Sequence, residues 1–135
     1  DNSFIYQAEV KRPFSFDSSD VVSTQRRNLL FNPPSSRLTG DSGRGRGIFV
    51  NPNGTQIFVT EMLTDNISRY TLTTPWDINT IVGDSADQTR HTPLLFFDGV
   101  NNSMDNLEAL TFSPDGKYMM LISRSRKRVW RWDKQ

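Results

Sequence analysis

Ile48-Phe49-Val50-Asn51-Pro52-Asn53-Gly54 is answered by Leu110-Thr111-Phe112-Ser113-Pro114-Asp115-Gly116, 62 positions later and without a gap. The echo runs on to Leu72 and Lys134. A third, partial copy opens the chain, where Ile5, Val10 and Pro13 stand 62 before Ile67, Leu72 and Pro75. Only Pro, Gly and one Arg are identical across the longer alignment, while Ile and Leu, Val and Phe, Ile and Met, and Tyr and Trp replace one another at apolar positions. Pattern without identity is what a packing constraint leaves, because cores accept side chains of similar volume. A fixed long period marks a repeat architecture.

Within one period the reading is all-β. Gly47 to Val50 is apolar and β-prone, and Asn51 to Gly54 is a turn. Pro52 presets φ early in that turn and Gly54 accepts the positive φ that closes it. Gln56 to Thr60 returns as a second strand, and Ile67 to Leu72 alternates as a third. Pro75 and Trp76 then turn the chain, since Pro has no place in a central strand. In the next copy Leu110 to Phe112, the turn with Pro114 and Gly116, Tyr118 to Ile122 and Val129 to Trp132 follow the same order. The apolar clusters Leu29-Leu30-Phe31 and Leu94-Leu95-Phe96-Phe97 are expected to supply a fourth, outer strand, the second preceded by a short one at Ile81-Val82. The stretches 33–36 and 40–47 read as surface loop, and no helix of ordinary length is expected.

Three or four antiparallel strands per unit, with a Pro-Asp-Gly type hairpin between the first two, resemble a β-propeller blade, and more narrowly the YVTN/NHL-like repeats. The matching residues are Pro52 to Gly54, Asp65-Asn66, Pro75-Trp76-Asp77 and Pro114 to Gly116. Tyr70 to Ile78 is also similar to repeats of bacterial and phage structural proteins. The resemblance implies a partial β-propeller of about two four-stranded blades with a period of 62 residues. That period exceeds the usual blade of about 40–50 residues. Residues 1–46 would hold outer strands of a first blade plus a long loop, 47–108 a central blade with a long outer loop, and 109–135 the inner three strands of a further blade. The third-strand phase recurs at both ends of the chain, so the expectation is a segment of a longer protein or a subunit that associates with copies of itself. Repeat proteins need about three units to bury their faces.

Composition narrows the function classes. With 16 Lys and Arg against 15 Asp and Glu, the net charge of +1 selects neither nucleic acid nor an acidic membrane surface. The absence of cysteine excludes disulfides and thiolate metal sites. No apolar run is long enough to span a bilayer.

Candidate site residues fall in three places. Asn106 and Glu108 enter an inner strand, where the resemblance places the mouth of a central channel. Carboxylates and an Asn carbonyl can hold Ca²⁺ there, with Glu108 the candidate ligand, as in lactonase and phytase-like propellers. Arg46 holds the matching place in the other copy, so a Glu108–Arg46 ion pair is the plainer account. Arg44 and Arg46 also lie in a Gly-rich run that lacks the Lys-Ser/Thr of a phosphate loop and enters a strand, not a helix. Arg124, Arg126, Lys127 and Arg128 crowd a turn beside Trp130 and Trp132, a pattern that could meet a local anionic partner. Trp132, however, matches the expected core position of Tyr70. His91 is the sole histidine, in a stretch read as polar loop. One imidazole makes neither an oriented triad nor a metal set. Asn53-Gly54-Thr55, Asn66-Ile67-Ser68 and Asn101-Asn102-Ser103 match the glycosylation acceptor pattern, two of them in turns that favour Asn in any case.

The expected function is therefore a non-enzymatic scaffold or binding module without a cofactor. Its partners would be other blades of the same chain or further copies, and a protein or glycan ligand the sequence does not specify. The resemblance places it outside cells or in a virion. A Ca²⁺-dependent hydrolase or lactonase using Glu108 and Asn106 is the alternative from another class.

Overall fold

In a computed structural model of the chain, the described residues are 3–15, 17–29, 45–61, 66–82, 88–91, 106–124 and 128–133. At 3–4, 28–29, 66, 88–91, 128, 130 and 132–133 the description is of backbone alone. These residues are all-β. Strands β1 (Ser3–Val10) and β2 (Val21–Leu29) form a two-stranded sheet. The middle sheet runs β3 (Gly45–Val50), β4 (Gln56–Glu61), β5 (Asn66–Thr71) and β6 (Gln88–His91). A third sheet runs β7 (Leu107–Phe112), β8 (Tyr118–Ser123) and β9 (Arg128–Asp133). Every pairing is antiparallel. No helix among the described residues is long and apolar enough to cross a membrane.

The 62-residue echo holds in three dimensions to the residue. The boundaries of β3, β4 and β5 become those of β7, β8 and β9 when 62 is added. Both inner strands carry a register irregularity at the same place, between Gly45 and Ile48 and between Leu107 and Ala109. Gly54 and Gly116 take φ of 72° and 70°, and each amide donates to the carbonyl three residues earlier, at Asn51 and Ser113, over 2.8 Å. Phe14 and Trp76, also 62 apart, share a left-handed backbone with φ of 59° and 61°. That conformation is uncommon for bulky residues, and both follow a proline.

The two turn glycines differ in surroundings. A Cβ on Gly54 would lie 2.3 Å from the Trp76 indole, whereas one on Gly116 would meet nothing within 4 Å. Gly116→Ala is expected to cost about 1 kcal/mol, the penalty of positive φ alone. Gly54→Ala should cost about 1 kcal/mol more, because the half-exposed Trp76 must leave its seat. Chemical denaturation of the two variants checks the order; equal losses contradict it.

Each face of the middle sheet carries a packed apolar cluster. One face presents Ile57, Val59, Tyr70 and Leu72, which pack with Ile78 and Ile81 against Ile5 of β1. Two clamps bind the first sheet there. The Gln7 side-chain amide donates to the Trp76 carbonyl and accepts from the Ile78 amide, and the Arg27 guanidinium donates to the carbonyls of Asn79 and Ile81. The opposite face presents Phe49, Phe58 and Ile67, packed on Leu107, Leu110, Phe112, Met119 and Leu121 of the third sheet. Phe112 sits between the other two rings, with centroids 5.1 Å from Phe49 and 4.7 Å from Phe58. Thus Ile5 and Ile67, equivalent in the repeat, each bury themselves against the sheet that follows.

The inner strands touch at Gly47. A Cβ there would fall 2.6 Å from the Ala109 Cα and 2.7 Å from the Glu108 carbonyl oxygen. Gly47 and Ala109 are themselves equivalent, so the closest approach of the two sheets joins like positions of successive repeats. The Thr60 hydroxyl, fully buried, accepts from the Gly47 amide at 2.8 Å and fixes the bulge.

Several expectations need correction. The outer strand of the first sheet is Val21–Leu29, which begins well before the apolar cluster at Leu29; Leu30 and Phe31 lie outside the described residues. The fourth strand of the middle sheet is the polar Gln88–His91, so His91 belongs to a strand and not to a loop. An edge strand is held by backbone pairing and needs little apolar content. Leu94 to Phe97 lie outside the described residues. Ile81 makes a single bridge with Leu72 in place of a short strand. β3 begins at Gly45, so Gly45 and Arg46 belong to the strand and not to the loop before it.

Candidate functional site

The channel-mouth residues expected from the sequence gather at one end of the inner strands. Asn106, with φ of 58°, precedes β7, and its carbonyl accepts the Arg124 amide at 3.0 Å. The chain leaving β8 is thereby tied to the chain entering β7. Glu108 is half-buried on the bulge, with its backbone against Gly47, and Arg46 is exposed on the adjoining strand. The expected Glu108–Arg46 ion pair does not form: among the described residues the bridges are Arg12 with Asp17 and Asp20, and Lys117 with Asp115. The two strands meet there through backbone, where Gly47 approaches the Ala109 Cα and the Glu108 carbonyl oxygen. Among the described residues no cluster of three His, Asp or Glu could hold a metal ion. Arg44, Arg126 and Lys127 lie outside the described residues. Arg128 opens β9 opposite Ser123, so 124–128 does connect two strands. The side chains of Arg128, Trp130 and Trp132 are outside the description.

The turn residues are placed as the sequence implies. Pro52 with Gly54 and Pro114 with Gly116 close the first hairpins, and Pro75 with Trp76 leads the chain back over Gly54, where the Trp76 amide donates to the Gly54 carbonyl at 2.9 Å.

A buried polar group was not legible in the sequence. Glu61, Ser68 and Tyr70 are each at most 1% exposed, on the face of the middle sheet that meets the first. The Ser68 hydroxyl donates to the Glu61 carboxylate. Burial foremost, and then the Glu61 charge, push the Tyr70 phenol well above its usual 10.0, with a hydrogen bond from Ser68 acting the other way. The folded chain then keeps a proton that the unfolded chain releases above pH 10, so this contribution to stability is present below the usual value and lost as pH rises past it. Tyr70→Phe should flatten the alkaline fall in melting temperature. A fall as steep as in the parent contradicts this assignment. In the third sheet Ser123 takes the place of Glu61, also fully buried, so the repeat itself does not require the acid.

Two apolar surfaces complete the picture. The first is a cleft of about 260 Å³ between β1 and the middle sheet, whose walls include Tyr6, Ala8, Ile48, Val50, Trp76 and Ile78. The second is the outward face of the third sheet, where Tyr118, Met120, Ile122 and Val129 are 44%, 44%, 46% and 65% exposed. The Arg131 guanidinium lies 5.4 Å from the Tyr118 ring on that face. Sequence alone could not reveal either surface, because each depends on which neighbour covers which repeat.

No protein-family model and no curated protein matches the sequence. Among solved structures, the chain is similar to a provisionally assigned 6-phosphogluconolactonase from Bacteroides uniformis ATCC 8492, with 15% identity and a TM-score of 0.48. The match covers 88% of this chain and 31% of that one, so the chain spans less than a third of that protein's length.

Proposed function

We propose that the chain is a non-enzymatic scaffold or binding module, a portion of a β-propeller of the YVTN/NHL-like kind that works against further sheets of its own type. Residues 1–46, 47–108 and 109–135 are then portions of three successive blades. The observation that carries this reading is the outward face of the third sheet. Its Met120 and Val129 are the repeat counterparts of Phe58 and Ile67, and Ile122 is the counterpart of Thr60. On the middle sheet Ile67 and Thr60 are buried and Phe58 is half-buried beneath the next sheet. On the third sheet all three counterparts are exposed side by side. A contiguous apolar patch of this kind marks an interaction surface.

Met120→Asp combined with Ile122→Asp tests the reading. Both side chains are exposed, so the double variant should melt as cooperatively as the parent, and light scattering should show its concentration-dependent association suppressed. Association equal in the two proteins contradicts the proposal.

A further inference from the structure

Ile48 and Leu110 are the same position of the repeat, at the same place in strands β3 and β7, yet Leu110 is 7% exposed and Ile48 54%. The difference lies in what covers them. Leu110 belongs to the cluster under Phe49 and Phe58, the inner two strands of the sheet before it. Ile48 faces the first sheet, in which, among the described residues, β1 has β2 as its one strand partner. β1 corresponds to β5, and β5 is paired on its inner side by β4. The cleft lined by Tyr6, Ala8, Ile48, Val50 and Trp76 is therefore the space that Phe49 and Phe58 fill in the following repeat.

We infer that this cleft is a docking site for a β-hairpin of the repeat's own type, which adds to the edge of β1 that has no strand beside it among the described residues and lays two aromatic side chains over Ile48 and Val50. This rests on the scaffold reading above and names a partner for it. The interface it extends is already formed by the packing of Ile5 and Gln7 of β1 on the middle sheet. The register follows from the repeat. Phe58 stands opposite Arg69 on β5, whose counterpart on β1 is Gln7, so the guest's Phe58-like residue stands opposite Gln7 and points to the middle sheet. Strand addition supplies main-chain hydrogen bonds, and the alternate side chains supply selectivity.

The test uses the full chain and a synthetic peptide with the sequence of residues 45–61, read by hydrogen exchange. The peptide is expected to protect the amides of β1. Ile48→Lys, at an exposed position that tolerates charge in the free chain, should weaken binding about tenfold or more, as should Phe58→Ala within the peptide. Met120→Asp with Ile122→Asp should leave peptide binding unchanged, which separates this site from the outward face of the third sheet. Binding that survives Ile48→Lys, or protection that falls on β9, overturns the inference. A small apolar probe that fills the cleft, with no β1 protection by the peptide, also overturns it. Absence of peptide binding in a chain that still associates through Met120 and Ile122 overturns this inference while leaving the scaffold reading in place.

Discussion

Gly47→Val is expected to cost about 3 kcal/mol or more and to separate the middle and third sheets. The first added carbon already falls 2.6 Å from the Ala109 Cα and 2.7 Å from the Glu108 carbonyl oxygen, and both are backbone atoms. A flexible side chain can swing aside, but a strand held by its own ladder can yield only by moving as a body. Overpacking in a fitted core costs about 1–3 kcal/mol when neighbours can adjust, and here the neighbours have little freedom. The displaced strand also carries Leu110 and Phe112 away from Phe49 and Phe58, which opens the aromatic contact between the sheets. Urea unfolding gives the loss, and hydrogen exchange along β7 shows where it falls. A variant as stable as the parent, with β7 equally protected, would show that the inner strands do not meet at this point.

Leu110→Ala is expected to cost about 2–5 kcal/mol, the range for emptying a packed site. Ile48→Ala, at the equivalent position, should cost less than about 1 kcal/mol, because its side chain is half exposed and gains little from folding. The two residues hold the same strand position and the same pairing register, Ile48 opposite Val59 and Leu110 opposite Leu121, and they differ in the layer laid over each. Equal losses would mean that Ile48 is covered in solution by something other than the described residues. Peptide binding in the cleft should then raise the cost of Ile48→Ala in step with occupancy, through the stabilisation that any ligand of the folded state confers.

Much of the fold was written in the sequence at the residue level. The hairpin glycines Gly54 and Gly116 marked two turns, the alternation of Ile67 to Leu72 marked a strand, and the 62-residue spacing marked three strands in each copy, with bounds that differ by up to three residues, as where Leu110 to Phe112 is the end of Leu107–Phe112. Those signals are local, since each follows from a φ requirement or from period-2 burial. The outer strands were misread for the complementary reason. Gln88 to His91 pairs with β5 through its backbone, and an edge strand leaves no apolar alternation to find. Among candidate site residues, neither the approach of Asn106 to Arg124 nor the placing of the Glu108 backbone against Gly47 was legible, because each depends on how strand ends meet in space. Glu61, Ser68 and Tyr70 were invisible for a similar reason: Glu61 ends one strand and Ser68 and Tyr70 lie on the next. Their meeting follows from the register, in which Val59 stands opposite Ser68 and Ile57 opposite Tyr70.

The central claim is that these sheets are layers of a stack whose exposed faces take further layers. The mass of the chain in dilute neutral solution, by sedimentation equilibrium, tests that most directly. The account predicts species heavier than the 15.5 kDa chain, reduced to the monomer by Met120→Asp with Ile122→Asp. A monodisperse 15.5 kDa monomer with a single cooperative melt would contradict it.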